Sequence, residues 1–386
     1  MGWKRTKVVI TELSPEPSLI RWAVCGVFMA IAGIALFMFH TSGIVKVVSK
    51  FNIWWVSLSP FGTWLLFCCL RGWFWGKEVD KHEFMKKEIE FAQKKWEAWA
   101  ERYLAIPASC IFLPDKITVA YLHDNFPQQY GLIRKINYLP DTISPAYSAV
   151  EVLLKGINDA LRQLPSNLRL KVTLLTDLPM DGLTESFSAA WISLFPQRAV
   201  PEDIAITRAF SMSLVEERLK QSVLTVDLLL VMQLRGGETY SDGLAALLLT
   251  SDDVAQKYRL PHAARLLRPM PLNMDTFDED FTLFLDTQTV ACRTTCVLGD
   301  SRNWEEVAAQ LMTIGRAHDA AWEPAERNML ERWCGIPGPA AAWLLTALAA
   351  DLVALHNNTS LLTLFSSGEE RFISTVTAGN EDEHIG

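Results

Sequence analysis

Seven cysteines and seven histidines are the residues of this 386-residue chain best suited to nucleophilic or metal chemistry, and their spacing gives them little to work with. Cys292 and Cys296 stand as C-x3-C with no second cysteine pair and no histidine close by, so they read as two small apolar side chains in a buried segment rather than as zinc ligands. The remaining cysteines are scattered, and thiols kept reduced in a cytoplasm carry no disulfide framework. Asp275, Asp278, Glu279 and Asp280 could hold a divalent cation or do acid–base work, but prolines precede them and Phe277, Phe281 and Phe284 interleave. That composition predicts a solvated loop beside a strand. No G-x-S-x-G elbow, phosphate loop, G-x-G-x-x-G turn or H-E-x-x-H pair occurs. If the fold hides an active site, the groups available to it are Ser186, Ser188, Cys296, His318 and His356. On sequence alone no residue is assigned as catalytic, cofactor-binding or metal-ligating, and no cofactor is expected.

The elements that would have to position such groups begin with two uncharged apolar runs, 22–39 and 53–70, eighteen residues each. At 1.5 Å per residue each spans about 27 Å as a helix, close to a hydrocarbon core of roughly 30 Å. Trp22, Trp54, Trp55, Trp73 and Trp75 sit at their ends, where indole rings favour the headgroup region. A cleavable signal would have a shorter apolar stretch and a small-residue cleavage site before His40, which is lacking. Lys4, Arg5, Lys7 and Arg21 precede the first run, and Arg71, Lys77, Lys81, Lys86 and Lys87 follow the second. The positive-inside rule therefore predicts both termini in the cytoplasm and the 40–52 loop outside. Gly26, Ala30 and Gly33 would let the two helices approach closely. Thiols are the spans' only ionisable groups, which argues against transport or proton relay.

After this hairpin, expected over 1–76, a connector helix over 77–104 carries Met85, Ile89, Ala92, Trp96, Trp99 and Tyr103 on one stripe and ends at Pro107. Residues 105–386 alternate short apolar runs with helical segments, which predicts a mixed α/β domain in one piece or two fused halves. Strands are expected at 110–113, 118–122, 169–175, 204–206, 226–232, 244–250, 289–298 and 372–376. Helices are expected at 146–164, 183–195, 211–221, 304–318 and 339–356. The last of these is apolar nearly all round, but its alanines and Asp351 suit a helix buried between protein layers better than a third span. A formal charge of −8, with basic residues gathered near the apolar runs, makes nucleic acid an unsuitable partner. The sequons at Asn357 and Asn358 carry no meaning in a cytoplasmic domain, and the tail 381–386 is expected to be disordered.

Two resemblances follow. The segment 227–251, DLLLVMQLRGGETYSDGLAALLLTS, resembles the strand, loop and returning strand of thiolases and ketoacyl synthases. The segment 335–376, with a glycine turn, an alanine-rich helix and a Ser/Gly turn into a last strand, is similar to their C-terminal stretch. That likeness implies a thiolase-like soluble domain whose nucleophile is a cysteine at a helix start and whose late glycine turn is followed by histidine or asparagine. Here no cysteine lies between Cys110 and Cys292, Ile336 follows Gly335, and His356 falls at the far end of the helix. On this likeness, the active site is lost.

The membrane anchor with its KKWEAWAERYL connector and degenerate domain resembles the adaptors of lipase effectors in bacterial type VI secretion. This implies a non-catalytic adaptor or chaperone in the bacterial inner membrane, multi-pass, held in lipid by residues 22–39 and 53–70 and binding a protein partner such as a secreted effector. The alternative is a membrane-anchored, thiolase-like enzyme acting on acyl or lipid substrates.

Overall fold

The computed structural model describes residues 3–5, 12–42, 52–119, 129–139, 144–165, 167–221, 223–323, 327–356 and 359–379. The chain divides into two compact units, Thr6–Lys95 and Met1–Arg5 with Trp96–Gly386.

In the first unit, α1 (Leu19–Ser42) and α2 (Ile53–Ala100) are both long and apolar enough to cross a membrane. Gly26 and Gly33, the two buried residues of α1, lie where the helices meet. A Cβ on Gly26 would fall 2.7 Å from the Trp64 ring, and one on Gly33 would fall 2.4 Å from the Ser57 carbonyl oxygen. The Trp64 indole N–H donates to the Trp22 carbonyl at 3.0 Å across the same seam. Residues 43–51 of the expected external loop lie outside the described residues.

The expected connector is no separate element, because α2 runs unbroken for 48 residues. It also stops earlier than its periodicity suggested, at Ala100 and not at Pro107. Tyr103 and Leu104 leave the helix to pair with Leu267 and Leu266 in a strand. Pro107 lies inside that strand at a register shift between Ala105 and Ala108, where the ladder lacks the bond a proline cannot make.

The second unit is built twice from one plan. Its first half runs β1 (Tyr103–Phe112), α3 (Pro145–Gly156), α4 (Asn158–Gln163), β2 (Arg169–Thr176), α5 (Leu183–Leu194), β3 (Asp203–Thr207), α6 (Ser213–Lys220), β4 (Thr225–Gln233), β5 (Gly243–Ser251) and α7 (Asp252–Tyr258). The second runs β6 (Ala264–Leu267), β7 (Met270–Leu272), α8 (Phe277–Thr287), β8 (Cys296–Gly299), α9 (Ala308–Ala317), β9 (Arg327–Met329), α10 (Glu331–Cys334), α11 (Ala341–Leu355), β10 (Leu361–Ser367) and β11 (Glu370–Ala378). The sheet order is β3-β2-β4-β5-β1-β6-β11-β10-β8-β9, which reads the same from either end once β6, β8, β9, β10 and β11 are matched to β1, β2, β3, β4 and β5. Directions match too: β2 is parallel to β3 and β4 as β8 is to β9 and β10, and β5 and β11 run antiparallel to their neighbours.

Strand alternation assigns each side chain to a layer. Val226, Leu228, Leu230 and Met232 of β4 face the outer helices α3, α4 and α5, while Leu229 and Val231 face inward to α6 and α11. In the second half Leu362 and Leu364 of β10 face α8 and α9, while Leu361 and Phe365 meet α11. Packed against β1, β5, β6, β10 and β11 of the one sheet, α11 buries eleven of its fifteen residues, which explains its lack of a polar face.

Several boundaries differ from expectation. The 146–164 helix breaks at Ile157, and 289–298 is a short 3-10 turn (Thr289–Arg293) followed by β8. The 304–318 helix opens with a 3-10 segment, Arg302–Val307, before α9. The acidic stretch expected as a loop forms the first turn of α8, where Asp278, Glu279 and Asp280 face the positive end of the helix dipole and Asp280 accepts the Asn273 N–H at 2.8 Å. Residues 118 and 119 are not in a strand, and 120–122, Asn357, Asn358 and the 381–386 tail lie outside the described residues.

Candidate functional site

The neighbouring parallel strands β2 and β4 end at the same edge of the sheet, and at such edges α/β folds form ligand crevices. Here a cleft of about 240 Å³ opens, lined by Leu175, Thr176, Asp177, Arg208, Met232, Gln233, Tyr240, Pro339 and Ala340. The last two come from the turn that starts α11, so the cleft joins the two halves of the domain.

Its polar walls are held from behind. Asp177 accepts the backbone N–H groups of Leu234 and Arg235 at 2.9 and 2.7 Å and the Tyr240 hydroxyl at 3.1 Å. Burial, reinforced by the Asp177 charge, pushes the Tyr240 phenol above its ordinary pKa, so it stays protonated. Thr176 donates to the Met232 carbonyl at 2.9 Å and accepts from Leu178 N–H at 3.0 Å. Gln233 uses both ends of its amide: the nitrogen donates to the Ser241 carbonyl at 2.7 Å, and the oxygen accepts the Ala340 N–H at 3.1 Å. Gly338 makes this approach possible, since a Cβ there would fall 2.4 Å from the Gln233 oxygen. Leu175, Met232, Pro339 and Ala340 supply apolar wall. Arg208, just after β3 and exposed, has no hydrogen-bond or ion-pair partner among the described residues.

The second half repeats the carboxylate but not the opening. Asp300 follows β8 as Asp177 follows β2, and each donates its own N–H to the matching strand, to the Leu364 and Met232 carbonyls. Asp300 accepts the Ser366 N–H, the Ser366 hydroxyl at 3.0 Å and the Trp304 indole N–H at 2.9 Å. The buried Trp304 ring covers the site, and burial pushes the Asp300 carboxyl up to about 6. One cleft is open and its counterpart is plugged.

Beside the cleft, the start of α6 is tied to α11 and β11. Trp343 donates to the Phe210 carbonyl at 2.6 Å with the two rings 5.1 Å apart, and the Ser211 hydroxyl donates to Glu370 at 3.1 Å.

The groups named from sequence do not gather here. Ser186 and Ser188 lie on α5 in an outer layer, and the Ser188 hydroxyl donates to the Thr184 carbonyl at 2.8 Å. Cys296 opens β8. His318 ends α9, its Nε2 3.4 Å from Asp286, and His356 follows the far end of α11. Burial raises the Cys110 and Cys334 thiols to about 12, and raises Cys292 as well, so none is an activated nucleophile. Asp177, Arg208, Gln233 and Tyr240 escaped the sequence reading. The one signal available was an acidic residue directly after an apolar strand, at Asp177.

No protein-family model matches this sequence, and neither does any curated protein. Several solved structures are similar to it in fold. A type II polyketide ketosynthase, AntDE, solved with its acyl-carrier protein AntF and a hexaketide, is 10% identical over 72% of this chain and 99% of its own, with a TM-score of 0.47. The oxazolomycin ketosynthase domain OzmH KS8 of Streptomyces albus is 10% identical over 72% and 96%, TM-score 0.48. Cerulenin-bound OleA of Xanthomonas campestris is 12% identical over 72% and 99%, TM-score 0.43.

The domain is mixed α/β, as expected, and nothing among these similar structures supports a type VI secretion adaptor. The non-catalytic adaptor reading is therefore corrected. The similar structures are ketosynthases and OleA.

Proposed function

We propose that this chain is a membrane-anchored enzyme acting on an acyl substrate that carries an anionic head group, bound in the cleft between β2, β4 and the start of α11. The observation that carries this reading is the pairing of an uncommitted guanidinium, Arg208, with apolar walls from Leu175, Met232, Pro339 and Ala340. A guanidinium selects a carboxylate or phosphate by charge-assisted hydrogen bonds, and apolar walls contribute about 0.8 kcal/mol per buried methylene. Tyr240 is held protonated and hydrogen-bonded to Asp177 in the resting site, and its hydroxyl can instead donate a hydrogen bond to an acyl oxygen on which negative charge develops. Among the described residues, no cysteine or histidine lines the cleft.

The hairpin keeps the domain at a bacterial inner membrane with both termini cytoplasmic, a reading supported by the basic residues at its two ends. The acyl group comes from lipid or from a carrier protein, the second source being the one held by the AntDE ketosynthase.

The test is turnover of acyl thioesters and acyl phosphates by the full-length protein in nanodiscs. Tyr240→Phe is expected to lower the rate by about 100-fold, the lower end of what one donor to a developing oxyanion contributes, and to leave substrate affinity near its original value. Equal rates for the two proteins, or no turnover by either, would reject the reading.

A further inference from the structure

Trp3 and Arg5 precede the first apolar helix, yet they pack within the domain that follows the second. The Trp3 ring stands edge-on to Trp99, with centroids 5.1 Å apart and planes at 75°, and lies 5.8 Å from Phe284 of α8. Trp99, near the end of α2, is the centre of a stack. Trp96 meets it edge-on at 5.3 Å, the Arg268 guanidinium lies 4.2 Å over its face, and Arg268 Nε donates to its carbonyl at 2.9 Å. Trp3 adds a further ring to this arrangement.

Arg5 completes the end of a helix. Its Nη1 donates to the Asp286 carbonyl at 3.2 Å and to the Thr287 hydroxyl at 2.9 Å, both in the last turn of α8. That helix has three acidic residues in its first turn and no basic residue in its last. A helix C-terminus presents carbonyls without intrahelical donors at the negative end of its dipole, and a guanidinium supplies both donor and charge. Phe284 and Thr287 are fully buried while Trp3 and Arg5 are half-buried, so the segment covers the edge of the packed interior.

We infer that residues 3–5 are a clasp. A seat made by Trp99, Phe284, Asp286 and Thr287 binds the chain's own N-terminal Trp-x-Arg segment and thereby fixes the two apolar helices as a hairpin with both ends on the domain's side of the membrane. A chain whose N-terminus faced the opposite side would leave the seat empty. The inference does not rest on the chemistry proposed for the cleft.

The experiment uses the full-length chain in sealed membrane vesicles with a short epitope at each end, together with amide hydrogen exchange. Both epitopes are expected to become protease-accessible from the same face. In the Trp3→Ala, Arg5→Ala double variant, amides 284–288 are expected to exchange about tenfold faster than in the unchanged protein, with the amides of α11 as internal reference. Epitopes on opposite faces, or unchanged exchange at 284–288, would overturn the clasp.

Discussion

Two carboxyl groups of the soluble domain are pushed up to about 6 by burial, Asp300 beside Trp304 and Asp351 inside α11. Asp351 accepts the Ser109 hydroxyl and a backbone N–H from Ile111, which soften the shift without cancelling it. An aspartate in the unfolded chain titrates near 3.9, so the folded protein holds more protons between about pH 4 and 6. The stabilisation from each protonated group is complete below about pH 4 and is lost as pH rises through about 6. The difference in unfolding free energy between the natural protein and Asp351→Asn should therefore fall from pH 4 to pH 7.5, by on the order of 3 kcal/mol, in urea titrations at each pH. A flat difference would show that Asp351 is ionised throughout. Asp351 was legible in the sequence as the charge that made 339–356 a protein-buried helix. Asp177 and Arg208 were not, because their meaning depends on β2 pairing with β4 and on where β3 releases the chain.

At the scale of elements, α11 is the helix that packs on both halves of the sheet. Trp343 fills the space between α11 and the start of α6 and satisfies the Phe210 carbonyl. Trp343→Ala should cost about 3–5 kcal/mol, as large-to-small changes of a buried tryptophan do. Trp343→Phe keeps most of the volume but orphans the carbonyl, and should cost about 1–3 kcal/mol in the same denaturant titration. Gly335→Ala is expected to destabilise as well. Gly335 has a φ of 83°, and a Cβ would fall 2.3 Å from both the Leu132 carbonyl oxygen and the Ser241 hydroxyl. The parallel strands β2 and β4 and the buried helix were readable because each is a long, uniform apolar run. β7 and β9, three residues each, are too short to show a period, and β10 follows α11 so closely that its apolar residues gave no separate signal. α8 was hidden by its acidic start, since charges that favour a helix N-terminus also suit a loop.

The whole molecule is a duplicated α/β domain with two long apolar helices at its head. The duplication places equivalent aspartates, Asp177 and Asp300, at the ends of equivalent strands, and then treats them differently. Trp304 closes one site, while Tyr240 and Arg208 border the other. The possibility of two fused halves was visible in the chain's length, but the mirrored strand order was not. Pairing partners lie far apart in sequence, as Tyr103 does from Leu267, and no local pattern records them. Function at this scale turns on what the open cleft holds. The most direct measurement is a binding titration of dodecanoate and of methyl dodecanoate against the full-length protein and its Arg208→Ala variant in nanodiscs. The account predicts that dodecanoate binds the natural protein at least about tenfold more tightly than its methyl ester, and that Arg208→Ala abolishes this preference, as loss of one charge-assisted pair should. Equal affinity for acid and ester in the natural protein would contradict it.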